Sequence, residues 1–311
     1  MHNPNPSTRA LRTAIPYIRA YEGRTFVVKL GGSLCNPGPT LDNVVEQLSL
    51  LATLGIRLIV VHGGGEQVNE LSKEMGRTPN FVAGRRITDE STLELAKMAF
   101  AGTINTNLVA EFRKFDVPAV GMTGIDARLI TVVRRPVRPV IDPATGVKQD
   151  VDFGYVGNIV SSRMDILEHL MSKRYLPVIG SLAADANGQI YNVNADTVAA
   201  RIAVDVQAVK YILLTTVDGV MLSIKDPETL QSYLDVDDLE DLVKSGVISG
   251  GMLPKISACA DALRGGVPRV HVINGARPDS VLAEIFTNEG CGSLIVLKRE
   301  KARPAVQEAA K

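Results

Sequence analysis

Two lysines of this 311-residue chain stand beside glycine-rich turns, at positions where each would need a charged partner. Lys29 interrupts the apolar run VVKL, and two glycines follow it directly. A buried ammonium group is costly unless it meets an anion, whereas glycines let a ligand approach the backbone closely. Lys255 comes shortly after the glycines of SGGMLPK. Each motif taken alone also fits a surface lysine next to an ordinary turn.

Three consecutive glycines, Gly63 to Gly65, separate the apolar run LIVVH from a stretch with helical periodicity. Free N–H groups at the start of a helix bind anions, so this turn favours a phosphate cradle over a purely structural turn. A dinucleotide-binding GxGxxG motif would need a glycine at Val68. An esterase-type reading of HGGG would need a GxSxG elbow, which this sequence lacks.

A third polar cluster, YNVNAD, ends at Asp196 and precedes another helical stretch. Asn194 or Asp196 could cap that helix, but capping uses only one of the cluster's polar residues. In open α/β sheets ligands bind at the carboxyl ends of the parallel strands, where these motifs are expected to meet. Two lysines, two glycine-rich helix starts and one aspartate together predict phosphoryl transfer, which depends on positioning and charge neutralisation.

Short runs of Val, Ile and Leu alternate with stretches of helical periodicity, which is typical of parallel strands joined by crossover helices. The chain is therefore predicted to have an α/β fold. The predicted strands are Arg24–Leu30, Arg57–His62, Pro118–Met122, Leu176–Leu182, Lys210–Thr215, Pro268–Ile273 and Ser293–Leu297. Apolar spacing predicts buried helix faces from Leu41 to Leu51 and from Leu93 to Phe112. Helices are also predicted over Gln67–Met75 and Thr197–Val206.

The region from about Arg128 to Val160 breaks this rhythm with several prolines. A turn predicted at Asp142–Gly146 indicates a β-hairpin inserted between crossover units.

Composition excludes several classes of function. Lys+Arg and Asp+Glu number 34 each, so no basic surface for nucleic acid or anionic membrane is expected. The three cysteines, Cys35, Cys259 and Cys291, are too scattered for a disulfide framework or a zinc site. No apolar run is long enough to span a membrane, and the N-terminus lacks a signal-peptide core. These features predict a cytoplasmic protein.

Seven motifs carry a family resemblance, in the order KLGGS, VHGGG, GRRITD, AGTINTNLVA, YNVNAD, LLTTVDGV and SGGMLPK. From about Arg24 to Leu297 the chain resembles the N-acetylglutamate kinases of the amino-acid kinase family. The resemblance implies an open three-layer αβα sandwich with a mainly parallel central sheet. It implies an N-terminal helix for oligomerisation and regulation (1–22), an amino-acid substrate lobe (23–190) and an ATP-binding lobe (191–311). The seam between the lobes is expected near Gly188–Asn194.

The activity implied by the resemblance is ATP-dependent phosphorylation of the side-chain carboxylate of N-acetyl-L-glutamate, in arginine biosynthesis. Lys29 and Lys255 would neutralise the transferring phosphoryl group, and Asp196 would hold both lysines. Substrate-binding residues would be Gly64, Gly65, Arg86 and Asn192. Nucleotide-binding residues would be Thr216, Val217, Asp218, Gly219, Val220, Met221, Ser249, Gly250, Gly251 and Met252. Mg²⁺ is expected to arrive on the phosphates of ATP, without a metal site built by the protein.

Arginine-inhibited members of this family carry an N-terminal helix that interlaces dimers into a hexamer. The segment ALRTAIPYIRAY resembles that helix and places Tyr17 in a regulatory arginine site, with Glu289 and Gly290 of FTNEGCGSL as the other half. The resemblance thus implies arginine as effector and a homo-oligomer, either a dimer or a hexamer built as a trimer of dimers. A tail helix packed on its own lobe is the alternative.

Four residues depart from the family pattern and bear on specificity: Arg85, Ile125, Arg128 and Thr216. One alternative is therefore a kinase for another acylated acidic amino acid, N-acetyl-aminoadipate or N-succinyl-glutamate, since one methylene changes binding by only about 1–3 kcal/mol. A second is a non-catalytic arginine sensor. Both lysines and Asp196 are present, and little chain follows the last predicted strand, which favours the kinase.

Overall fold

The computed structural model describes residues 6–82, 85–141, 148–223 and 226–299. The α-helices are α1 (Pro6–Tyr21), α2 (Pro39–Thr53), α3 (Gly65–Glu74), α4 (Glu90–Lys97), α5 (Asn105–Lys114), α6 (Asp165–Ser172), α7 (Ala195–Asp205), α8 (Val236–Lys244), α9 (Leu253–Arg264) and α10 (Ser280–Phe286). A π-helical segment, Met98–Ile104, joins α4 to α5.

The strands of the main sheet are β1 (Thr25–Leu30), β2 (Arg57–His62), β5 (Ala119–Thr123), β10 (Leu176–Gly180), β13 (Lys210–Thr215), β14 (Tyr233–Asp235), β15 (Val270–Asn274) and β16 (Ser293–Val296). The smaller sheets contain β3 (Phe81–Val82), β4 (Arg85–Arg86), β6 (Ile130–Arg134), β7 (Arg138–Ile141), β8 (Lys148–Val151), β9 (Gly157–Ser162), β11 (Leu182–Ala184) and β12 (Ile190–Asn192).

The main sheet has eight strands in the order β14-β16-β15-β13-β1-β2-β10-β5. All neighbouring strands pair in parallel except β15 and β16, which are antiparallel. Each of the seven predicted strands corresponds to a strand of this sheet, with ends that differ by a few residues, and the predicted mainly parallel α/β fold is confirmed. The last residue of the predicted strand Leu176–Leu182 lies instead in β11 of a smaller sheet. The short strand β14 was not among the predicted strands.

Strand β1 lies near the middle of this sheet and shows how the two helical layers arise. Successive side chains of a strand point to opposite faces. Phe26 and Val28 pack in the core cluster that holds α2, α5 and α10. Val27 packs in the other cluster, with α7 and α9. Lys29 has the parity of Val27, so the pleat directs its side chain toward the layer of α7 and α9.

The predicted helix from Leu93 to Phe112 is helical throughout, but it does not keep one period. Its middle, Met98–Ile104, is π-helical. This segment presses Phe100 and Ile104 against Gly64, where an added Cβ would lie 2.2 Å from Cδ1 of Ile104. π-Helical turns frequently occur at functional sites, and this one lies beside the glycine turn after β2.

The inserted region is larger than a single hairpin. Strands β7 and β8 form the predicted antiparallel pair, while the predicted turn at Asp142–Gly146 lies outside the described residues. In addition, β6 and β9 pair antiparallel and belong to a four-stranded sheet of order β12-β11-β6-β9. A further small hairpin, β3–β4, carries Arg85 and Arg86.

The boundary between the two predicted lobes does not separate the strands of the main sheet. Strands from both sides of the proposed seam near Gly188–Asn194 share the main sheet, because β1 pairs with β13. The division into 1–22, 23–190 and 191–311 stays a prediction. Within the described ranges, no helix combines the length and the apolar character needed to cross a membrane.

Candidate functional site

Lys29, Asp196 and Lys255 meet at the carboxyl end of β1. The Nζ atom of Lys29 lies 2.8 Å from Oδ1 of Asp196, and the Nζ atom of Lys255 lies 3.5 Å from Oδ2. Side-chain exposure is 7% for Lys29 and 4% for Asp196, whereas Lys255 is 25% exposed. One buried carboxylate therefore holds two ammonium groups, and the second of these reaches solvent.

The local sequence explains why Asp196 is available for both lysines. Asn194 caps α7, since its Oδ1 accepts a hydrogen bond from the N–H of Thr197 at 3.0 Å. The alternative of Asp196 as the cap is thereby excluded. Asp196 stands in the first turn of α7, where the helix dipole favours a carboxylate.

The charges of this cluster are tightly coupled. Burial alone would raise the pKa of Asp196, but the charges of Lys29 and Lys255 outweigh it and lower that pKa. The pKa of Lys255 is lowered by burial and by the charge of Lys29, against the opposing effect of Asp196. The carboxylate is thus firmly ionised, and an added anion would relieve the repulsion between the two ammonium groups.

A cavity of about 580 Å³ opens beside this cluster. It brings together the predicted catalytic and substrate-binding residues. Its lining consists of Lys29, Gly32, Gly63, Gly64, Gly65, Glu66, Asn69, Phe81, Arg85, Arg86, Phe100, Arg135, Val156, Ser181, Asn192, Val193, Asn194, Ala195, Asp196, Thr197, Pro254, Lys255 and Ser257.

The glycine turn after β2 forms one wall of this cavity. Gly64 precedes α3 and Gly65 is its first residue. Among the described residues none accepts a hydrogen bond from the N–H of Gly64 or of Gly65. Two N–H groups at a helix start are therefore available to an anion in the cavity.

Arg86 is held against the same helix start. Its Nη2 donates to the carbonyl oxygen of Gly65 at 2.8 Å and to Oδ1 of Asn69. Its guanidinium lies over the ring of Phe81, 4.8 Å from the centroid. Nη1 is buried without a hydrogen-bond partner, and burial lowers the pKa of this guanidinium. A buried guanidinium nitrogen without an acceptor is suited to bind the carboxylate of a ligand.

Asn192 and Arg135 also line the cavity. Asn192 donates from Nδ2 to Oγ1 of Thr88 at 3.3 Å and bridges to Val156, whose carbonyl accepts the N–H of Arg135 at 2.8 Å. Arg135 was not among the predicted site residues. Its only sequence signal is its place in the basic, proline-rich run VVRRPVR, and that run does not indicate the cavity.

The predicted nucleotide-binding residues lie outside this cavity. Thr216 to Met221 follow β13, next to the end of β1, while Ser249 to Met252 precede α9. The N–H of Val220 donates to Oγ of Ser293 at 2.8 Å, and the side chain of Val220 is buried in the core. Both segments thus flank the carboxyl end of the sheet. The carbonyl oxygen of Val220 is also occupied, because it accepts the N–H of Gln231 at 2.9 Å.

The predicted regulatory residues occupy a separate region, where α1 contacts the segment after α10. The hydroxyl of Tyr17 donates to Oδ1 of Asn288. Gly290 lies against Glu284, since an added Cβ would be 2.7 Å from Oε2 of that carboxylate. Glu289 is exposed on the same segment.

A buried polar network not predicted from the sequence lies under this region. Nδ1 of His271 is 2.7 Å from Oε1 of Glu284, and Nε2 is 2.8 Å from Nζ of Lys210. Burial, with the charge of Lys210, lowers the pKa of His271 to about 4, so its ring is neutral at pH 7. Oε2 of Glu284 accepts the N–H groups of Cys291 and Gly292. A lone histidine in a strand carries no sequence signal for this role.

Of the four departures from the family pattern, only Arg85 lines the cavity. Ile125 packs against the core cluster on the α5 side, while Arg128 and Thr216 are exposed. In the part of the chain that the structure describes, no group of three His, Cys, Asp or Glu residues could hold a metal ion.

Comparisons with known proteins place the chain among kinases. A model described as "Amino acid kinase family" matches residues 24–274. The chain is 39% identical over 286 residues to acetylglutamate kinase of Desulfitobacterium hafniense, covering 92% of this chain and 95% of that protein. It is 41% identical over 303 residues to acetylglutamate kinase of Myxococcus xanthus, covering 97% of each.

Among solved structures, the chain is similar to N-acetylglutamate synthase from Neisseria gonorrhoeae. The complex with coenzyme A and N-acetyl-glutamate has a TM-score of 0.79 and 30% identity, and covers 95% of this chain and 65% of the synthase. The complex with coenzyme A and L-arginine has the same TM-score and 28% identity. This chain thus spans less than two thirds of the synthase.

The buried pairing of Asp196 predicts a pH-dependent loss of stability in Asp196→Asn. Removing one partner of a buried ion pair costs about 3 kcal/mol, so at pH 7 the free energy of unfolding of the variant should be lower than that of the wild-type protein by that amount. Because the folded pKa of Asp196 lies below its ordinary value of 3.8, this stability is present above that pH and is lost as pH falls further. Urea unfolding from pH 7 down to pH 3 should therefore show that the difference in free energy of unfolding between wild type and variant, here called the gap, narrows only at the acid end.

The matched control is Glu46→Gln, which removes an exposed carboxylate on α2 and should leave stability unchanged. An equal gap at pH 3 and pH 7, or none at pH 7, would contradict the pairing.

Proposed function

The chain belongs to the amino acid kinase family and is a phosphotransferase that uses ATP; on that premise we propose that it phosphorylates the side-chain carboxylate of N-acetyl-L-glutamate. The observation that carries the proposal is the meeting of Lys29 and Lys255 on Asp196, beside the free N–H groups of Gly64 and Gly65.

This arrangement suits a carboxylate nucleophile. Such a group is ionised at neutral pH, so no general base is needed, and the barrier is the repulsion between two anions. Two ammonium groups and the N–H groups of Gly64 and Gly65 would surround the transferring phosphoryl group and neutralise its charge. Asp196 would hold both ammonium groups in place, so that both are directed at the transferring phosphoryl group. The product would be an acyl phosphate.

Arg86 would bind the α-carboxylate of the substrate, and Asn192 would bind its amide. The free Nη1 of Arg86 supports this role, because a guanidinium N–H forms a strong, charge-assisted hydrogen bond with a carboxylate, whereas Nη2 already donates to Gly65 and Asn69. Asn192 lines the same cavity, and its side chain donates to Oγ1 of Thr88. The substrate would thus be held by its fixed groups while its side-chain carboxylate reaches toward Lys29.

ATP would approach from the segments 216–221 and 249–252, which flank the carboxyl end of the sheet. Mg²⁺ would enter on the phosphates of ATP and supply further positive charge there. The donor set supports this, since the cavity's buried carboxylate, Asp196, is already paired with two lysines. Lys255, the more exposed of the two lysines, would face the nucleotide side.

A second candidate substrate is N-succinyl-glutamate, and the arginines of the cavity favour it. Arg85, Arg86 and Arg135 line the cavity, and within the described ranges none of them has a carboxylate partner. The single α-carboxylate of N-acetyl-glutamate would pair with Arg86 and leave Arg85 and Arg135 without a carboxylate. An additional carboxylate on the acyl group would account for Arg135, whose Nε is held by Asn158 at 2.9 Å.

Arginine is the proposed effector, acting at Tyr17, Glu289 and Gly290. Support comes from the related synthase, whose structure is complexed with L-arginine, and from the contact of Tyr17 with the segment that carries Glu289. The proposal includes a homo-oligomer, a dimer or a hexamer, in which α1 joins subunits. In the described fold α1 also packs on α10 of its own chain, which is the alternative arrangement of this helix.

Lys255→Ala should lower kcat by on the order of 10²-fold or more, because it removes a charge that neutralises the transition state. The assay is ATP-dependent formation of hydroxamate from N-acetyl-L-glutamate in the presence of hydroxylamine. Lys244→Ala is the control, since the ion pairs that Lys244 forms with Glu240 and Asp241 on α8 are exposed. Normal turnover in Lys255→Ala would contradict the assignment, and an inactive wild-type protein would contradict the substrate.

A panel of N-acetyl-glutamate, N-succinyl-glutamate and N-acetyl-aminoadipate separates the candidate substrates. If Arg135 binds an acyl carboxylate, N-succinyl-glutamate should have the lower KM, and Arg135→Leu should abolish that difference by raising its KM about tenfold or more. Arg86→Leu should raise KM for every member of the panel. A lower KM for N-acetyl-glutamate that Arg135→Leu leaves unchanged would reject the second candidate.

L-Arginine should inhibit the wild-type kinase, and Tyr17→Ala should raise the half-inhibitory concentration about tenfold by loosening α1 from the segment after α10. Basal kcat should not change, because Tyr17 lies outside the catalytic cavity. L-Ornithine serves as the control for a non-specific cationic effect. Inhibition that is identical in both proteins, or absent from both, would reject this site.

A further inference from the structure

His62, the last residue of β2, is fully buried and lies outside the proposed catalytic set. Its parity along the strand matches that of Leu58 and Val60, which pack in the α5-side core cluster. The ring therefore lies on the face of the sheet opposite Lys29. Its Nδ1 is 2.9 Å from the carbonyl oxygen of Gly63. A carbonyl oxygen can only accept, so Nδ1 carries a proton and donates it there.

The second ring nitrogen fixes this tautomer. Nδ2 of Asn105 lies 3.1 Å from Nε2 of His62, and it also donates to the carbonyl oxygen of Val178 at 3.0 Å. An amide nitrogen can only donate, so Nε2 must accept. Burial lowers the pKa of His62 to about 4, which keeps the ring neutral and the pattern intact at pH 7.

The bond to the Gly63 carbonyl has a consequence on the other side of the same peptide. In a planar trans peptide, the C=O of one residue and the N–H of the next point in opposite directions. The carbonyl of Gly63 is held toward the face of His62 and α5. The N–H of Gly64 must then point toward the opposite face, where Lys29 and Asp196 line the cavity.

We propose that His62 is a positioning residue that locks the Gly63–Gly64 peptide, so that the N–H of Gly64 faces the transferring phosphoryl group. This role rests on the proposed kinase function. Glycine has unusual backbone freedom, and a run of three could rotate this peptide away from the cavity. Phe100 and Ile104 support Gly64 from behind but form no hydrogen bond with it. The hydrogen bond from His62 sets the orientation of the Gly63–Gly64 peptide.

Three substitutions of His62 separate orientation from packing. Asn places an amide nitrogen near the position of Nδ1 and can still donate to Gly63, although it is smaller than His. Phe keeps the ring but donates nothing, and Gln moves its amide to the position of Nε2. His62→Phe and His62→Gln should lower kcat by roughly tenfold to 10²-fold, as when a preorganised donor is lost. His62→Asn should stay within about threefold of wild type.

The kinetic constants distinguish this role from a structural one. KM for the acyl-amino acid and for ATP should change by less than about threefold in all three variants, because the N–H of Gly64 acts mainly on the transition state. Urea unfolding, measured in parallel, should rank His62→Phe as more stable than His62→Asn, because Asn leaves a cavity. His62→Asn should thus be the more active of these two variants and His62→Phe the more stable.

Two results would overturn the inference while the wild-type protein is active: wild-type kcat in His62→Phe, or kcat values that follow stability across the three variants. An inactive wild-type protein would instead refute the proposed function on which the inference depends. Asn105→Leu, which leaves the donor on Nδ1 of His62, is a further check and should reduce kcat less than His62→Gln. A larger reduction in Asn105→Leu would also count against the inference.

Discussion

The structure depends on one buried carboxylate that two ammonium groups share. Asp196 lies between Lys29 and Lys255, at 2.8 Å and 3.5 Å, in a place where water screens little. Burying any one of these charges alone would be strongly unfavourable. Lys29 on β1 and Asp196 on α7 therefore need each other, and Lys255 on α9, which is 25% exposed, adds a second positive charge to the same carboxylate. Tyr211 reinforces this by donating to the carbonyl oxygen of Asp196 at 3.1 Å.

The central position of β1 brings the other parts of the site to the same place. Its neighbour β2 ends in the glycine turn, and its neighbour β13 leads into the segment 216–221. The small hairpin β3–β4 adds Arg86, which is fixed on the start of α3. Positive charge is thus arranged around a cavity in which a doubly charged acyl-amino acid and a phosphoryl group would meet. In the proposed function, one set of fixed donors would provide both binding and charge neutralisation.

Much of this could be read from the sequence, because the signals are local. The lysine within VVKL, the glycines after β2 and the polar run before α7 each mark the end of one strand or the start of one helix. Parallel strands bring their carboxyl ends to one edge, which predicts that Lys29 and the glycine turn after β2 lie close together. Asp196 joins them by another route, because α7 follows β12 of the smaller, four-stranded sheet. The spacing of apolar residues from Leu93 to Phe112 predicts the helix but not its π-helical segment, which packs against Gly64, a residue distant in sequence.

The parts that could not be predicted depend on contacts between distant segments. Arg135 reaches the cavity because its N–H bonds to Val156, and the region between β6 and β9 has no helical or alternating pattern that would reveal this. The network of His271 with Glu284 and Lys210 likewise joins three separate elements. His62 is part of a recognisable motif, yet its role depends on the direction of one peptide, which sequence patterns do not specify.

The most direct measurement is a crystal structure with N-acetyl-L-glutamate, Mg-ADP and aluminium fluoride, which occupies the position of a phosphoryl group in transfer. The account predicts that Nζ of Lys29 and Nζ of Lys255 both lie within about 3 Å of the same aluminium fluoride group, with Asp196 between them. A complex in which the aluminium fluoride contacts neither lysine, or in which the two lysines bind separate ligands, would contradict it.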